Sequence, residues 1–459
     1  MSEEELPEGW AEATLGEIAD IALGKMLDRE KRIEGKPLPY LRNINVRWGT
    51  VNLDNLLTMP FRDEELSRFD LRLGDLLICE GGEPGRAAIW SSPRTDIKFQ
   101  KAILRARMLG GLEPRWAMYS LRRNATDGTL EDYFTGSTIK HFPQVAVRRY
   151  SLPLPPLAEQ RRIVEKVEAL LAQVNATRAR LAKVATILKR FRQSILSAAC
   201  SGRLTDICED DEWASTDLQS IAMIGTGSTP LRSNKAFYAE EGTPWITSAA
   251  TSLPIVTHAD EFVTEAAVSE HRLKKYPIGT LLVAMYGEGK TRGQVTELGI
   301  EAAVNQACSA IVVDGSKALR SFVKLVLQAN YLSMRELAEG GNQPNLSLGK
   351  MKELPISLPP LSEQHEIVRR VDALFKLADA IEARVAAATA RADKITQAIL
   401  AKAFRGELVP TEAELARQEG RDYEPASALL ARIRAERTAS EAAPKPARRT
   451  PRRRATVVR

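Results

Sequence analysis

The residues that come nearest to carrying chemistry lie in "LLVAMYGEGKTRGQV" (281–295). Ala284, followed after four residues by Gly289-Lys290-Thr291, fits the loose phosphate-loop pattern in which Ala replaces the first Gly. Such a loop joins a strand to a helix whose first amides and dipole hold the phosphates. The strand is legible as "TLLVAMYG", but the helix is not. Arg292-Gly293-Gln294-Val295-Thr296 brings an early glycine and two β-branched residues, which predicts a strand returning from a turn. Lys290, Arg292 and Gln294 then sit at or beside a Gly-rich hairpin tip, and the ATPase pattern is a coincidence. "CEGGEPGRAAIW" (79–90) has the same outline, with Arg86 and no Lys-Thr.

Cations on a Gly-rich tip suit a nucleic-acid groove. Arg addresses guanine bidentately, Lys addresses guanine or phosphate, and glycine amides can approach phosphates. Two more loops carry side chains of the kind that base edges require. One is "GSTIKH" (136–141), with Ser137, Thr138, Lys140 and His141; its counterpart is "GGNQPN" (340–345), with Asn342, Gln343 and Asn345. The other is "YLRNINVRWG" (40–49), with Arg42 and Asn43, matched by "WITSAATS" (245–252). Taken singly, each of these loops also reads as an ordinary solvated turn.

No catalytic constellation is present in the sequence. The "LPPL" pair lacks the Asn and the aromatic of an adenine methyltransferase motif, and there is no G-x-S-x-G. Four scattered cysteines and four histidines form no C-x-x-C and no H-E-x-x-H, so neither a disulfide framework nor a metal site is expected.

The elements that hold these loops are written twice. "PPLAEQRRIVEKVEALL" (155–171) returns as "PPLSEQHEIVRRVDALF" (359–375), with ten of seventeen positions identical at an offset of 204. "QSILSAACSGRL" (193–204) returns as "QAILAKAFRGEL" (397–408) at the same offset. Fainter matches join 9–25 to 212–228, 71–86 to 276–291, and 134–157 to 338–361. A period of about 200 residues is far longer than a solenoid repeat. It marks duplication of a whole domain plus a connector.

The connector reads as a long helix. Leu157 to Ser201 contains no Gly or Pro, and apolar residues recur at alternating spacings of four and three. The first seam runs Ile163, Val167, Leu170, Val174, Thr177, Leu181, Val184, Leu188, Phe191, Ile195. The second runs Ile367, Val371, Leu374, Ala378, Ile381, Val385, Ala388, Ala392, Ile395, Ile399. Both are heptad patterns of a coiled coil, roughly 65 Å long. Gly202 and Gly406 supply the C-terminal stops. The variable segments read as mixed α/β, with strands near 75–82, 87–90, 280–287 and 308–315 and helices over 115–123 and 318–339. The expected fold is α+β: two duplicated mixed α/β domains joined by two long antiparallel coiled-coil helices with pseudo-two-fold symmetry. The expected division is a first domain at 1–155, a helix at 156–205, a second domain at 206–358, a helix at 359–410, and a C-terminal segment at 411–459.

Composition bounds the partners. Of 459 residues, 44% are hydrophobic and 27% charged, the profile of a globular protein. No apolar run reaches the ~18 residues of a membrane span, and "MSEEELPEGW" does not resemble a signal peptide. No membrane partner and a cytoplasmic location are the expectations. The net charge of +6 is concentrated in residues 442–459, with seven Lys/Arg and no acid, leaving 58 basic against 59 acidic residues elsewhere. A nucleic acid would therefore be held by local patches, and the basic tail is expected to be disordered.

The blocks "LPLPPLAEQRRIVEKVEALLAQ" and "ISLPPLSEQHEIVRRVDALFKLAD" resemble the repeated regions of type I restriction–modification specificity subunits. "MYGEGKTRGQV", "NQACSAIVV" and "GGNQPNLSLGKMKELPISLPPLSEQ" are similar to second target-recognition domains of that family, and "EPASALLARIRAER" (424–437) to its C-terminal end. The resemblance spans 9–437 and leaves the Arg-rich extension without a role. It implies a non-catalytic subunit in which each domain reads one half of a split, asymmetric site on double-stranded DNA. The helices would space the halves and dock two methyltransferase subunits, with Val164, Leu171, Val368 and Phe375 as docking candidates. No cofactor is implied in this chain: S-adenosylmethionine belongs to the methyltransferase subunits, and ATP and Mg to the two restriction subunits where these exist. The competing readings are a phosphate-loop NTPase and a coiled-coil scaffold that does not bind DNA.

Overall fold

The computed structural model describes residues 5–26, 35–205, 213–286, 291–336 and 346–442. Contacts divide the chain into two compact units, Met1–Ala179 with Thr389–Arg459, and Arg180–Ala388. Each long helix contributes one part to each unit.

The duplication is visible strand by strand. In the first unit, Ala11–Thr14 pairs antiparallel with Ser151–Leu154. An antiparallel sheet follows in the order Ala19–Leu23, Ile103–Met108, Leu76–Cys79, Ala87–Ile89. In the second unit, Ala214–Asp217 pairs with Pro355–Leu358. Its sheet has the order Ala222–Thr226, Cys308–Val313, Leu281–Ala284, Val295–Leu298, with Ile255–Val256 added at the edge. The central strands read "LLIC" and "LLVA" and are wholly buried. Such continuous apolar runs mark strands covered on both faces. The helix expected over 115–123 spans Pro114–Asp127. The one expected over 318–339 is two helices, Arg320–Ala329 and Tyr331–Glu336. They break at Asn330, whose backbone amide and Nδ2 both donate to the Val326 carbonyl at 3.0 Å.

The long helices span Leu157–Ala199 and Leu361–Phe404. Gly202 and Gly406 follow with φ of 71° and 72°, the left-handed conformation of a C-terminal stop. Within each unit the helices run antiparallel. In the first, Arg178 Nη2 donates to Asp393 at 2.5 Å, to the Ala392 carbonyl at 3.4 Å and to Thr396 Oγ1 at 3.1 Å. In the second, Arg192 Nη2 donates to Asp379 at 2.7 Å and Glu382 at 2.9 Å. The seam departs from its reading at two places. Ile395 is half exposed and Thr396 is buried in its stead, while Thr177 faces out and Arg178 is half-buried. The physical reason is the ion pair: an arginine reaching across needs acceptors on the facing helix, and Thr396 with the Ala392 carbonyl supplies them.

The repeated Glu-Gln pair also finds a structural explanation. Gln160 Nε2 donates to the Pro155 carbonyl at 2.8 Å, and its Oε1 accepts from the Glu113 amide at 3.2 Å. Gln364 does the same with Pro359 at 2.8 Å and Leu319 at 2.6 Å. Glu113 and Leu319 are the N-cap residues of the helices beginning at Pro114 and Arg320. Each fully buried glutamine thus ties the start of a long helix to the helix of its own domain. Burying an amide is tolerated because both of its ends are paired.

Candidate nucleic-acid interface

The opening motif resolves into a hairpin. Leu281–Ala284 leads into a turn, and Val295–Leu298 returns antiparallel to it, with Val283 opposite Val295. Ala284 donates to the Gln294 carbonyl at 3.0 Å, and Gly293 donates to the Ala284 carbonyl at 2.8 Å. Gly293 has a φ of 83°. A strand stands where a phosphate loop needs a helix. Lys290 lies outside the described residues, as do Asn342, Gln343 and Asn345. Arg292 is half-buried, its carbonyl accepting from Arg335 Nη1 at 3.1 Å, and Gln294 is half-buried in the hairpin.

In the first unit the three loops singled out from sequence converge. The equivalent hairpin pairs Leu76–Cys79 with Ala87–Ile89. Its turn holds Gly82 and Gly85 at φ of 82° and 83°. The left-handed φ of Gly82 favours glycine, and a Cβ there would lie 2.3 Å from Asn43 Nδ2, so a larger residue would displace the Asn43 side chain. That loop is a short 3-10 turn, Asn43–Asn45. Buried Asn45 pins it: Oδ1 accepts from the Arg42 amide at 2.9 Å, and Nδ2 donates to the carbonyls of Asn52 at 3.1 Å and Asp54 at 3.3 Å. Asn43 Nδ2 then donates to the Gly81 carbonyl at 3.2 Å, and Arg42 Nη2 to the Asn55 carbonyl at 3.0 Å.

The third loop is closed by a reciprocal backbone pair between Thr135 and His141, at 2.9 and 2.8 Å. The Phe142 amide fastens it to the Glu80 carbonyl at 2.7 Å, while the Phe142 ring is buried among Tyr133, Phe134 and Tyr150. The second unit repeats this fastening, with the Leu346 amide donating to the Met285 carbonyl at 3.1 Å. Ser137, Thr138, Lys140 and His141 are all exposed. Lys140 pairs with Glu131. An open cleft of about 530 Å³ lies between the loops, lined by Trp48, Gly82, Glu83, Pro84, Thr126, Phe134, Thr138, Ile139 and Lys140 among others.

Three expectations change. Arg86, expected to reach DNA, is only 8% exposed and is used internally. Its Nη1 donates to Glu83, and its Nη2 donates to the Asn43 carbonyl at 2.8 Å. It holds two loops together because the turn folds the side chain back under itself. Val164 and Leu171, expected at a partner surface, belong to the first unit's core. Val368 and Phe375 are partly buried against the second unit's core, Phe375 beneath the Arg192 guanidinium at 5.5 Å. The helix face bearing Val164 and Leu171 is consumed by the first unit's own core. Conversely, sequence reasoning passed over Trp48, Glu83 and Ile139, although each stood inside or beside a quoted loop. Their chemistry was the available signal: an aromatic, an acid and an exposed isoleucine next to glycine-rich turns.

Nucleophilic chemistry finds no footing in the buried thiols. Burial pushes the thiol of Cys79 up to about 11 and that of Cys308 up to about 12, and the thiolate is the nucleophile. Among the described residues no group of three or more His, Cys, Asp or Glu side chains could hold a metal ion, and no helix is long and apolar enough to cross a membrane.

Comparison with known proteins adds to this geometry. The family model described as "Type I restriction modification DNA specificity domain" matches residues 210–388. The chain is similar to the type I restriction enzyme StySPI specificity subunit of Salmonella potsdam, 27% identical over 96% of this chain and 98% of that protein. It is similar to the EcoBI specificity subunit of Escherichia coli, 33% identical over 94% of this chain and 93% of that protein. Among solved structures, the chain resembles one described as "Structural basis underlying complex assembly and conformational transition of the type I R-M system". The TM-score is 0.72 and the identity 20%, covering 88% of this chain and 99% of that chain. It also resembles the HsdS subunit of Thermoanaerobacter tengcongensis, with a TM-score of 0.56 and 19% identity over 88% and 99% of the two chains.

Proposed function

Because the chain belongs to the specificity subunits of type I restriction–modification systems, we propose that its first unit reads one half of a bipartite DNA target through the cleft between its three loops. The second unit reads the other half through its equivalent loops. The observation that carries this is the meeting, on one cleft, of Trp48 from the 40–49 loop, Gly82, Glu83 and Pro84 from the Gly-rich turn, and Thr138, Ile139 and Lys140 from the third loop, the last three exposed. The rigid sheet positions the loops, and adaptable loop tips carry specificity. Ser137, Thr138, Lys140 and His141 supply donors and acceptors, Trp48 an aromatic face, and Ile139, 66% exposed, an apolar contact of the kind a thymine methyl takes. In this reading Lys290 and Arg292 serve the second half-site. Chemistry resides in the partners: two methyltransferase subunits with S-adenosylmethionine and, where present, restriction subunits with ATP and Mg.

The test is the methylation pattern of DNA from cells carrying this subunit with its methyltransferase partners. A single split N6-methyladenine motif is expected, and a continuous or absent motif would end the reading. With the purified assembly, Lys140→Ala should weaken binding for all sequences alike and flatten the log–log salt dependence by about one unit, the signature of one phosphate contact.

Docking of the methyltransferase subunits is proposed on apolar residues that the long helices leave exposed. Ile395 lies in the first unit and Leu377 in the second, at 50% and 54% exposure. Since Leu377 is no part of either core, Leu377→Asp should leave the fold intact. It should abolish co-purification with the methyltransferase subunit by placing an unpaired charge in an apolar contact, a cost of several kcal/mol. Undiminished co-purification would move the docking surface elsewhere.

A further inference from the structure

A carboxylate stands in the cleft where phosphate-seeking groups are expected. Glu83 lies on the Gly-rich turn with its side chain 54% exposed. Both of its oxygens are held: Trp48 Nε1 donates to Oε1 at 3.2 Å, and Arg86 Nη1 donates to Oε2. Arg86 is itself buried and anchored to the Asn43 carbonyl. An ionised carboxylate has about four acceptor sites, so about two remain open toward the cleft. A negative group at a DNA face is repelled by phosphate unless a base edge satisfies it. In the major groove only cytosine, through N4, and adenine, through N6, present an amino donor; guanine there offers only acceptors, and thymine an acceptor and a methyl.

We infer that Glu83 is a specificity-determining residue, a pre-positioned acceptor for the exocyclic amino group of cytosine or adenine at one position of the first half-site. This rests on the cleft being the DNA-reading surface. Arg86 and Trp48 act as positioning residues: they fix the carboxylate before DNA arrives, so little ordering remains to oppose binding. Guanine or thymine at that position would set a base acceptor against the open lone pairs of the carboxylate.

The experiment is methylome sequencing of cells expressing the subunit, wild type or variant, with its methyltransferase partners. The wild-type motif should contain an invariant cytosine or adenine at the position that changes in the variants. Glutamine pairs bidentately with adenine. If the base is cytosine, Glu83→Gln should admit adenine there, with discrimination falling roughly 5- to 150-fold. If the base is adenine, Glu83→Gln should retain it and Glu83→Ala should lose it. In every case the second half-site stays unchanged, which shows that the variant folds and assembles. A motif identical to wild type in both variants overturns the inference. So does a variant that assembles but methylates nothing, because a one-position reader leaves the other contacts in place. So does failure of Glu83→Gln to assemble, which would assign the residue to the fold. If the motif is unchanged and Lys140→Ala still flattens the salt dependence, only the role of Glu83 falls. If neither variant has an effect, the placement of the interface falls with it.

Discussion

Truncation after Pro410 is expected to unfold the first unit while Arg180–Ala388 remains folded. The removed segment holds two helices, Glu412–Glu419 and Ala426–Ala442. Leu429, Leu430 and Ile433 of the second are buried in the first unit's core, together with Trp10, Leu112 and Trp116. At about 1.5–3 kcal/mol per buried side chain, these three alone contribute roughly 5–9 kcal/mol. That rivals the ~5–15 kcal/mol total stability of an ordinary domain.

The truncation also strips a buried carboxylate. Glu159, fully buried, accepts from Trp10 Nε1 at 2.9 Å and from the Glu412 amide at 2.8 Å. Burial holds its carboxyl above the usual range, and the truncation takes away one of its two donors. Hydrogen exchange should show protection lost in Ala19–Leu23 and Ile103–Met108 but kept in Leu281–Ala284 and Cys308–Val313. Full protection in both sets of strands would show that the C-terminal helices are dispensable.

Deleting one heptad from each long helix, 181–187 and 385–391, is expected to shorten the unspecified gap of the methylated motif by about 3 bp. The proposal that the helices space the half-sites makes the gap a matter of helix length. Seven residues at 1.5 Å each remove about 10 Å, against 3.4 Å per base pair. The ion pairs Arg178–Asp393 and Arg192–Asp379 lie outside both deleted stretches and can re-form. Removing whole heptads keeps the seam in phase. The expected readout is a motif with both half-sites unchanged and a smaller gap. An unchanged gap would dissociate helix length from spacing.

Much of the architecture was legible in the sequence because it rests on local rules. The 204-residue repeat required two similar folds. Alternating four-and-three spacing without Gly or Pro required two long helices, and Arg292-Gly293 with β-branched followers required a hairpin where a phosphate loop would have needed a helix. These features depend on neighbours in the chain, so the chain order alone suffices. Glycine and polar clusters also showed where the chain turns, as at 80–86 and 136–141.

Which side chains face the cleft was decided only by the tertiary structure. Arg86 and Glu83 are three residues apart on one turn, yet the arginine is buried and the acid exposed. That choice is set by the Asn43 carbonyl, 43 residues away in sequence. In the same way the docking candidates Val164 and Leu171 disappeared into a core completed by Leu429, Leu430 and Ile433. A heptad shows that a helix has an apolar face. It does not show which partner covers that face, because burial is a property of what packs there, and those residues are distant in the chain.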